Sequence, residues 1–216
     1  MMPLSECRLY AFVDTAHLAG RSPQEVARQL CDGGSDLIQL RAKNSSPAEI
    51  RRMAEAILPV ATRAGVRLVI NDHPRIAAAV EAPFCHLGQE DFFGAGCTHV
   101  SQLAPLAGRL KLGLSTHSPA QAERAIAAGA EYIAIGPVYA TGTKPAAQPV
   151  TLDYVRWAAS TVKIPWFAIG GINLQNLDDI LAAGARRIGV VSAILDAPDI
   201  VEACRKFKNR LLSAPL

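Results

Sequence analysis

Five charged residues set the chemical possibilities of this chain: Asp72, Asp91, Arg41, Lys43 and Lys144. Each lies beyond the end of a short apolar run. The two carboxylates supply hard oxygen donors, and no cysteine or histidine cluster accompanies them, so the favoured ion is Mg2+. Magnesium keeps several waters and binds through one or two carboxylates plus substrate phosphate. Three cations around the same rim suit a diphosphate, especially one that must leave. Elsewhere, Gly170-Gly171 allows close backbone approach, and Val191-Ser192 offers an amide and a hydroxyl. That combination suits a second anion, a monophosphate held by backbone N–H groups. Two anion sites point to two phosphorylated substrates.

These residues are far apart in sequence, so the fold must bring them to one rim. The elements are legible. Apolar runs at Leu9–Val13, Leu37–Leu40, Arg67–Ile70, Phe84–Leu87, Lys111–Leu114, Tyr132–Ile135, Trp166–Ile169 and Ile188–Val191 read as strands. Their continuous apolar character marks strands covered on both faces. Ser22-Pro-Gln-Glu25, Ser46-Pro-Ala-Glu49 and Ser118-Pro-Ala-Gln121 read as capping boxes with proline at the first helical position. Glycines at 33–34, 65, 129 and 184 stand where helices should stop before the next strand. Eight such units in 216 residues predict an α/β fold, with residues 1–216 as one (β/α)8 TIM barrel. An open doubly wound sheet is disfavoured, because no Gly-x-Gly-x-x-Gly or Walker A sequence follows a strand.

In such barrels chemistry sits at the C-terminal ends of the strands. The unusual polar residues fall there: Gln39, Arg41 and Lys43; Asn71 and Asp72; His86, Gln89 and Asp91; Ser115, Thr116 and His117; Thr141 to Lys144; Gly170 and Gly171; Ser192. Gln39, Arg41 and Lys43 are spaced by two and share a side of an extended chain. Asp72 and Asp91 follow successive strands, and neighbouring parallel strands lie about 4.8 Å apart. Taken singly, each has a plainer reading. Asp72 can cap the helix begun by Pro74, Asp91 can be a solvated carboxylate, and His86 and His117 can be structural. Gly170-Gly171 can be a turn, and Thr141 to Lys144 a surface loop. Their joint location at one rim is the argument for function.

Composition narrows the classes. Half the residues are hydrophobic and 19% are charged, which excludes a disordered chain or a coiled coil. A net charge of +3 is too mild to suggest nucleic acid, and the run Arg205, Lys206, Lys208, Arg210 reads as a solvated helix end. Cys7, Cys31, Cys85, Cys97 and Cys204 are odd in number and lack a Cys-x-x-Cys, so they read mainly as small buried hydrophobes. No apolar stretch reaches the roughly 18 residues of a membrane span, and no signal-peptide pattern opens the chain. The expected location is the cytoplasm.

Several motifs together resemble one family. They are Leu9-Tyr-Ala-Phe-Val-Asp14, Gln39-Leu-Arg-Ala-Lys43, Asn71-Asp72, His86-Leu-Gly-Gln-Glu-Asp91 and Gly113-Leu-Ser-Thr-His117. Gly136-Pro-Val-Tyr, Thr141-Gly-Thr-Lys144, Ile169-Gly-Gly-Ile172 and Val190-Val-Ser-Ala-Ile194 complete the set. In this order they resemble the thiamine phosphate synthases, over about residues 9 to 195. The resemblance implies that hydroxymethylpyrimidine diphosphate joins a methyl-hydroxyethylthiazole phosphate, releasing pyrophosphate. It implies that Gln39, Leu40, Arg41, Ala42 and Lys43, with Asn71, Ser115 and Lys144, hold the pyrimidine diphosphate. It implies Mg2+ on Asp72 and Asp91. It implies the thiazole phosphate on Thr141, Gly142, Thr143, Gly171, Val191 and Ser192. Arg41, Lys43 and Lys144 would stabilise the departing pyrophosphate, and Lys144→Ala is expected to lose far more turnover than substrate affinity.

Two stretches depart from the family pattern. Phe92-Phe-Gly-Ala-Gly-Cys-Thr-His99 differs from the usual continuation, and Ala140 stands where many members carry proline. The related thiazole tautomerases share parts of these motifs and would use a histidine such as His117 without metal. Both aspartates and Thr141-Gly-Thr-Lys144 favour the synthases. A Schiff-base aldolase using Lys43, or a non-catalytic phosphate-binding barrel, fits the residues less well.

Overall fold

Helices, four of them opening on proline, alternate with buried strands to close a complete ring. The computed structural model describes residues 2–106, 110–142 and 148–214. Eight strands run β1 Leu9–Asp14, β2 Leu37–Arg41, β3 Arg67–Asn71, β4 Phe84–Gly88, β5 Lys111–Thr116, β6 Tyr132–Ile135, β7 Trp166–Ile169 and β8 Ile188–Val190. They pair in parallel, in sequence order, and β8 pairs with β1 to close the barrel. The helices are α1 Pro23–Asp32, α2 Pro47–Arg63, α3 Pro74–Ala79, α4 Gln89–Gly94, α5 Pro119–Ala127, α6 Thr151–Thr161, α7 Leu177–Ala182, α8 Ser192–Leu195 and α9 Ile200–Ser213.

The observed strand ends differ from the sequence expectation in an instructive way. The first five strands run one or two residues further than expected, through Asp14, Arg41, Asn71, Gly88 and Thr116. A polar residue ends an apolar run, but the backbone ladder continues: Asp14 lies opposite Arg41, and Asn71 opposite His86. β8 is one residue shorter, because Val191 turns away at φ −110° and ψ −89°. Part of the chemical rim is thus built into the strands themselves, where pleating fixes each side chain's direction.

The three helices in which serine precedes the proline, α1, α2 and α5, carry the expected cap, whose oxygen accepts from the backbone N–H three residues on. Only Ser46 forms the full reciprocal box, with Glu49 reaching back to its N–H. In α1, Glu25 instead pairs with Arg28 at 2.6 Å. In α5, Gln121 accepts from the N–H of His117, outside the cap. The glycines expected to stop α2, α5 and α7 take positive φ at 65, 129 and 184.

Two apolar layers follow from the closure. The outer one lies between strands and helices and includes Val13, Leu40 and Ala42. The inner one fills the barrel axis with Tyr10, Phe12, Phe84, Tyr132 and Phe167, with Leu4 and Cys7 among its members. The segment that departs from the family pattern is seated by its two phenylalanines. Phe92 is buried, and Arg124 of α5 lies 3.6 Å from the Phe93 ring centre. Cys7, Cys85 and Cys204 are buried as expected, whereas Cys31 and Cys97 are partly exposed. Among the described residues no helix is long and apolar enough to cross a membrane.

Candidate active site

Above the aromatic layer the barrel opens into a pocket of about 990 Å3, counting its solvent-filled mouth. Pleating decides which rim residues enter it. Gln39 and Arg41 point inward from β2, and Lys43 continues their line beyond the strand. Asn71 and Asp72 enter from β3, Asp91 from the first turn of α4, and Ser115 from β5. Thr141, Gly171, Val191 and Ser192 line the opposite side. Residues expected at each of the two anion sites therefore line one cavity.

Leu40 and Ala42 turn their side chains into the outer layer, because residues flanking an inward Arg41 face the helices. Gly142 is exposed and does not line the pocket. Thr143 and Lys144 lie outside the described residues.

The charges are held by specific partners. Lys43 Nζ lies 2.5 Å from Asp72 Oδ2, which also accepts from Asn71 Nδ2 at 2.7 Å. Asp72 does not cap α3: the cap position is His73, with no side-chain bond. Asp72 itself sits at φ 63°, and its N–H donates to His86 O at 2.9 Å. Aspartate tolerates this left-handed conformation better than most residues. Here the turn directs its carboxylate toward Lys43. Arg41 Nη1 donates to Asp14 Oδ2 at 2.7 Å, and Asp14 Oδ1 accepts from Ala16 N–H at 3.0 Å. Asp14 is 1% exposed, so this pair fixes the guanidinium from below. The sequence carries one signal for it, an acidic residue ending an otherwise apolar strand.

The Gly170-Gly171 turn is required rather than merely permitted. The two residues have φ of +99° and +64°. A Cβ on Gly170 would stand 2.4 Å from Pro137, and one on Gly171 would stand 2.6 Å from Ala140 O. The β6 loop is bonded along this turn, Val138 N–H to Ile169 O and Tyr139 N–H to Gly170 O. Asn176 Nδ2 donates to Gly171 O at 2.9 Å and pins its far side. His117 also lines the pocket; its Nδ1 donates to Gly136 O, which turns Nε2 toward Glu90 at 3.7 Å.

The donor set bears on the expected metal. Among the described residues no three His, Cys, Asp or Glu side chains form a metal cluster. Two aspartates line the pocket instead, and both recorded partners of Asp72 use Oδ2. A pair of carboxylates is the donor number magnesium takes when substrate phosphate and water complete its shell. The residues present fit that ion.

A family model described as thiamine monophosphate synthase matches residues 9–194. The chain belongs to this family. A thiamine-phosphate synthase of Thermus thermophilus is 46% identical over 180 residues, 83% of this chain and 84% of its own length. That of Acidothermus cellulolyticus is 41% identical over 214 residues, 98% of each chain. Among solved structures, a thiamine phosphate pyrophosphorylase from Pyrococcus furiosus superimposes with a TM-score of 0.83 at 29% identity, covering 97% of this chain and 99% of that one.

Within this thiamine monophosphate synthase barrel, the residues that sequence reasoning passes over are the floor of the pocket. Tyr10 and Phe12 line it from β1. Tyr132 stands just beneath, stacked under the His86 ring at 5.6 Å. Gly113 makes room for it: a Cβ there would lie 2.1 Å from the Tyr132 ring. Burial pushes both phenols above their ordinary range, so Tyr10 and Tyr132 stay protonated. In sequence they read as core aromatics, and nothing in their spacing separates a floor from a filling.

Proposed function

We propose that this thiamine-phosphate synthase joins hydroxymethylpyrimidine diphosphate to methyl-hydroxyethylthiazole phosphate within the single pocket above. The observation carrying the division of roles is the pocket lining: acidic and cationic residues gather after β2 to β4, and the glycine turn and Ser192 stand across from them. In this reading Gln39, Asn71 and Ser115 hold the pyrimidine diphosphate, with Arg41, Lys43 and Lys144 against its phosphates. Thr141, Thr143, Gly171, Val191 and Ser192 hold the thiazole phosphate. The whole of residues 1–216 serves as one barrel domain. The cytoplasm is its expected location.

The pyrophosphate departs first, leaving a methylene cation stabilised by the pyrimidine. The thiazole nitrogen then attacks that carbon. No protein nucleophile is needed. Arg41 and Lys43 offset the negative charge that grows on the leaving group, and Asp14 keeps Arg41 from reorganising as it does so. Mg2+ on Asp72 and Asp91 would supply Lewis-acid stabilisation of the same charge. The glycine turn holds the second substrate close, which supplies proximity. The aromatic floor keeps water from the cation.

The test is a coupling assay with both phosphorylated substrates, with and without a chelator, read by mass spectrometry for thiamine phosphate. Product only with metal is expected. No product in either sample, from folded protein, would overturn the reading and bring the tautomerase alternative forward.

A further inference from the structure

Five side chains at the floor of the pocket form one continuous hydrogen-bonded chain. Gln39 Nε2 donates to Tyr10 OH at 2.5 Å, and Tyr10 OH lies 2.9 Å from Tyr132 OH. Tyr132 OH lies 3.0 Å from His86 Nδ1, and His86 Nε2 lies 2.8 Å from Ser115 Oγ. Its ends, Gln39 and Ser115, line the pocket, as do Tyr10 and His86, and Tyr132 lies beneath them. Its middle members come from β1, β6 and β4, so it crosses the barrel interior.

Each phenol has a single proton, and this fixes a direction. Tyr10 OH accepts from Gln39, and among the described residues its other partner is Tyr132. Tyr10 is fully buried, so its proton must go to Tyr132, because an unmade bond there is costly. Tyr132 accepts it and donates in turn to His86 Nδ1. His86 then carries its proton on Nε2 and donates to Ser115 Oγ. At one end Gln39 has committed one amide N–H to Tyr10 and keeps its carbonyl Oε1 and the second N–H for further bonds. At the other, Ser115 is left with its hydroxyl proton for the pocket. Reversing the chain would reverse both ends together.

We propose that the Tyr10–Tyr132–His86 chain fixes the orientation of the Gln39 amide, with Oε1 as the acceptor offered to a ligand, and fixes Ser115 as a donor, and so selects an aminopyrimidine over its oxo counterpart. An aminopyrimidine presents an exocyclic N–H donor beside an acceptor ring nitrogen. The oxo lactam presents the inverse, a carbonyl acceptor beside a ring N–H. One polarity of the chain complements the first pattern and opposes the second. Tyr10, Tyr132 and His86 are thus positioning residues, acting on specificity through Gln39 and Ser115. This rests on the placement of those two residues against the pyrimidine ring.

The experiment compares kcat/KM for the amino substrate and its 4-oxo diphosphate analogue, in wild type, Tyr132→Phe and Tyr154→Phe. Tyr154 is the control, a buried phenol bonded to Thr116 Oγ1 at 2.7 Å, outside the pocket. Wild type should prefer the amino ring by about 100-fold or more, as polar sites do when a mismatch leaves buried groups unpaired. Tyr132→Phe should reduce that preference to about 10-fold or less while leaving KM for the thiazole phosphate unchanged. Tyr154→Phe should retain the full preference. If Tyr132→Phe does not fold, Tyr10→Phe breaks the same chain one link earlier. Nitrogen-15 NMR of wild type without substrate gives a second reading, with the His86 proton expected on Nε2. An undiminished preference in the folded variant, or a proton on Nδ1, overturns the proposal alone. Wild type that gives no product from the amino substrate overturns the parent reading as well.

Discussion

Each end of the barrel holds a carboxylate against a lysine ammonium at 2.5 Å, and the two pairs have opposite characters. At the N-terminal end Asp36 is 7% exposed. Both of its oxygens face Lys208 of α9, and Oδ2 also accepts from the N–H groups of Arg8 and Leu9. Every direction is filled by protein, so the pair ties α9 and the start of β1 to β2. At the C-terminal end, among the described residues, Asp72 meets Asn71 and Lys43 through Oδ2, and the Lys43 side chain is 48% exposed. A satisfied pair serves stability. A pair with unused coordination, facing a cavity, is available to a ligand.

The comparison can be sharpened by perturbing each end and reading both activity and stability. Removing divalent metal should act at the open end alone. We expect turnover to fall on the order of 1,000-fold, the scale of several kcal/mol of lost charge stabilisation, with the melting temperature nearly unchanged. Asp36→Ala should do the reverse. Stranding Lys208 in a largely buried position should cost about 3–5 kcal/mol. For a chain of this size that lowers the melting temperature by about 6–20 °C. The kcat of the folded fraction should stay near wild type; a comparable loss of kcat would break the division between the two ends. Lys43→Ala should lower kcat by roughly 100-fold through lost leaving-group stabilisation, with a small change in thermal unfolding. The smallest effect is expected for Asn176→Ala, which frees the Gly171 carbonyl. Losing that single bond, worth about 1 kcal/mol, should raise KM for the thiazole phosphate about fivefold and leave kcat largely intact.

Much of the open end is legible in the order of the residues. Gln39, Arg41 and Lys43 share a face because a strand has period two, and spacing alone shows it. The same rule places the Leu40 and Ala42 side chains on the other face, toward the helices. Asp72 and Asp91 are legible as carboxylates after successive strands. The lysine that holds Asp72 is legible only as a neighbouring charge, since the contact depends on the left-handed turn at Asp72. The closed end is not legible at all. Asp36 and Lys208 are 172 positions apart, and Lys208 reads in sequence as one cation in a solvated run.

By itself, the sequence determined the barrel, the order of its strands, the rim where the polar residues gather and the family. These follow from local signals: apolar runs, serine–proline helix starts, glycine stops and short motifs at strand ends. Only the tertiary structure decided which way the interior polar groups point and which charges are satisfied. Tyr10, Tyr132 and His86 become a directed chain, and Gly113 becomes a seat for a ring, because barrel closure brings five strands to within hydrogen-bonding distance. Hydrogen bonds and ion pairs of this kind depend on tenths of an ångström between distant residues, and periodicity along the chain carries no record of such distances.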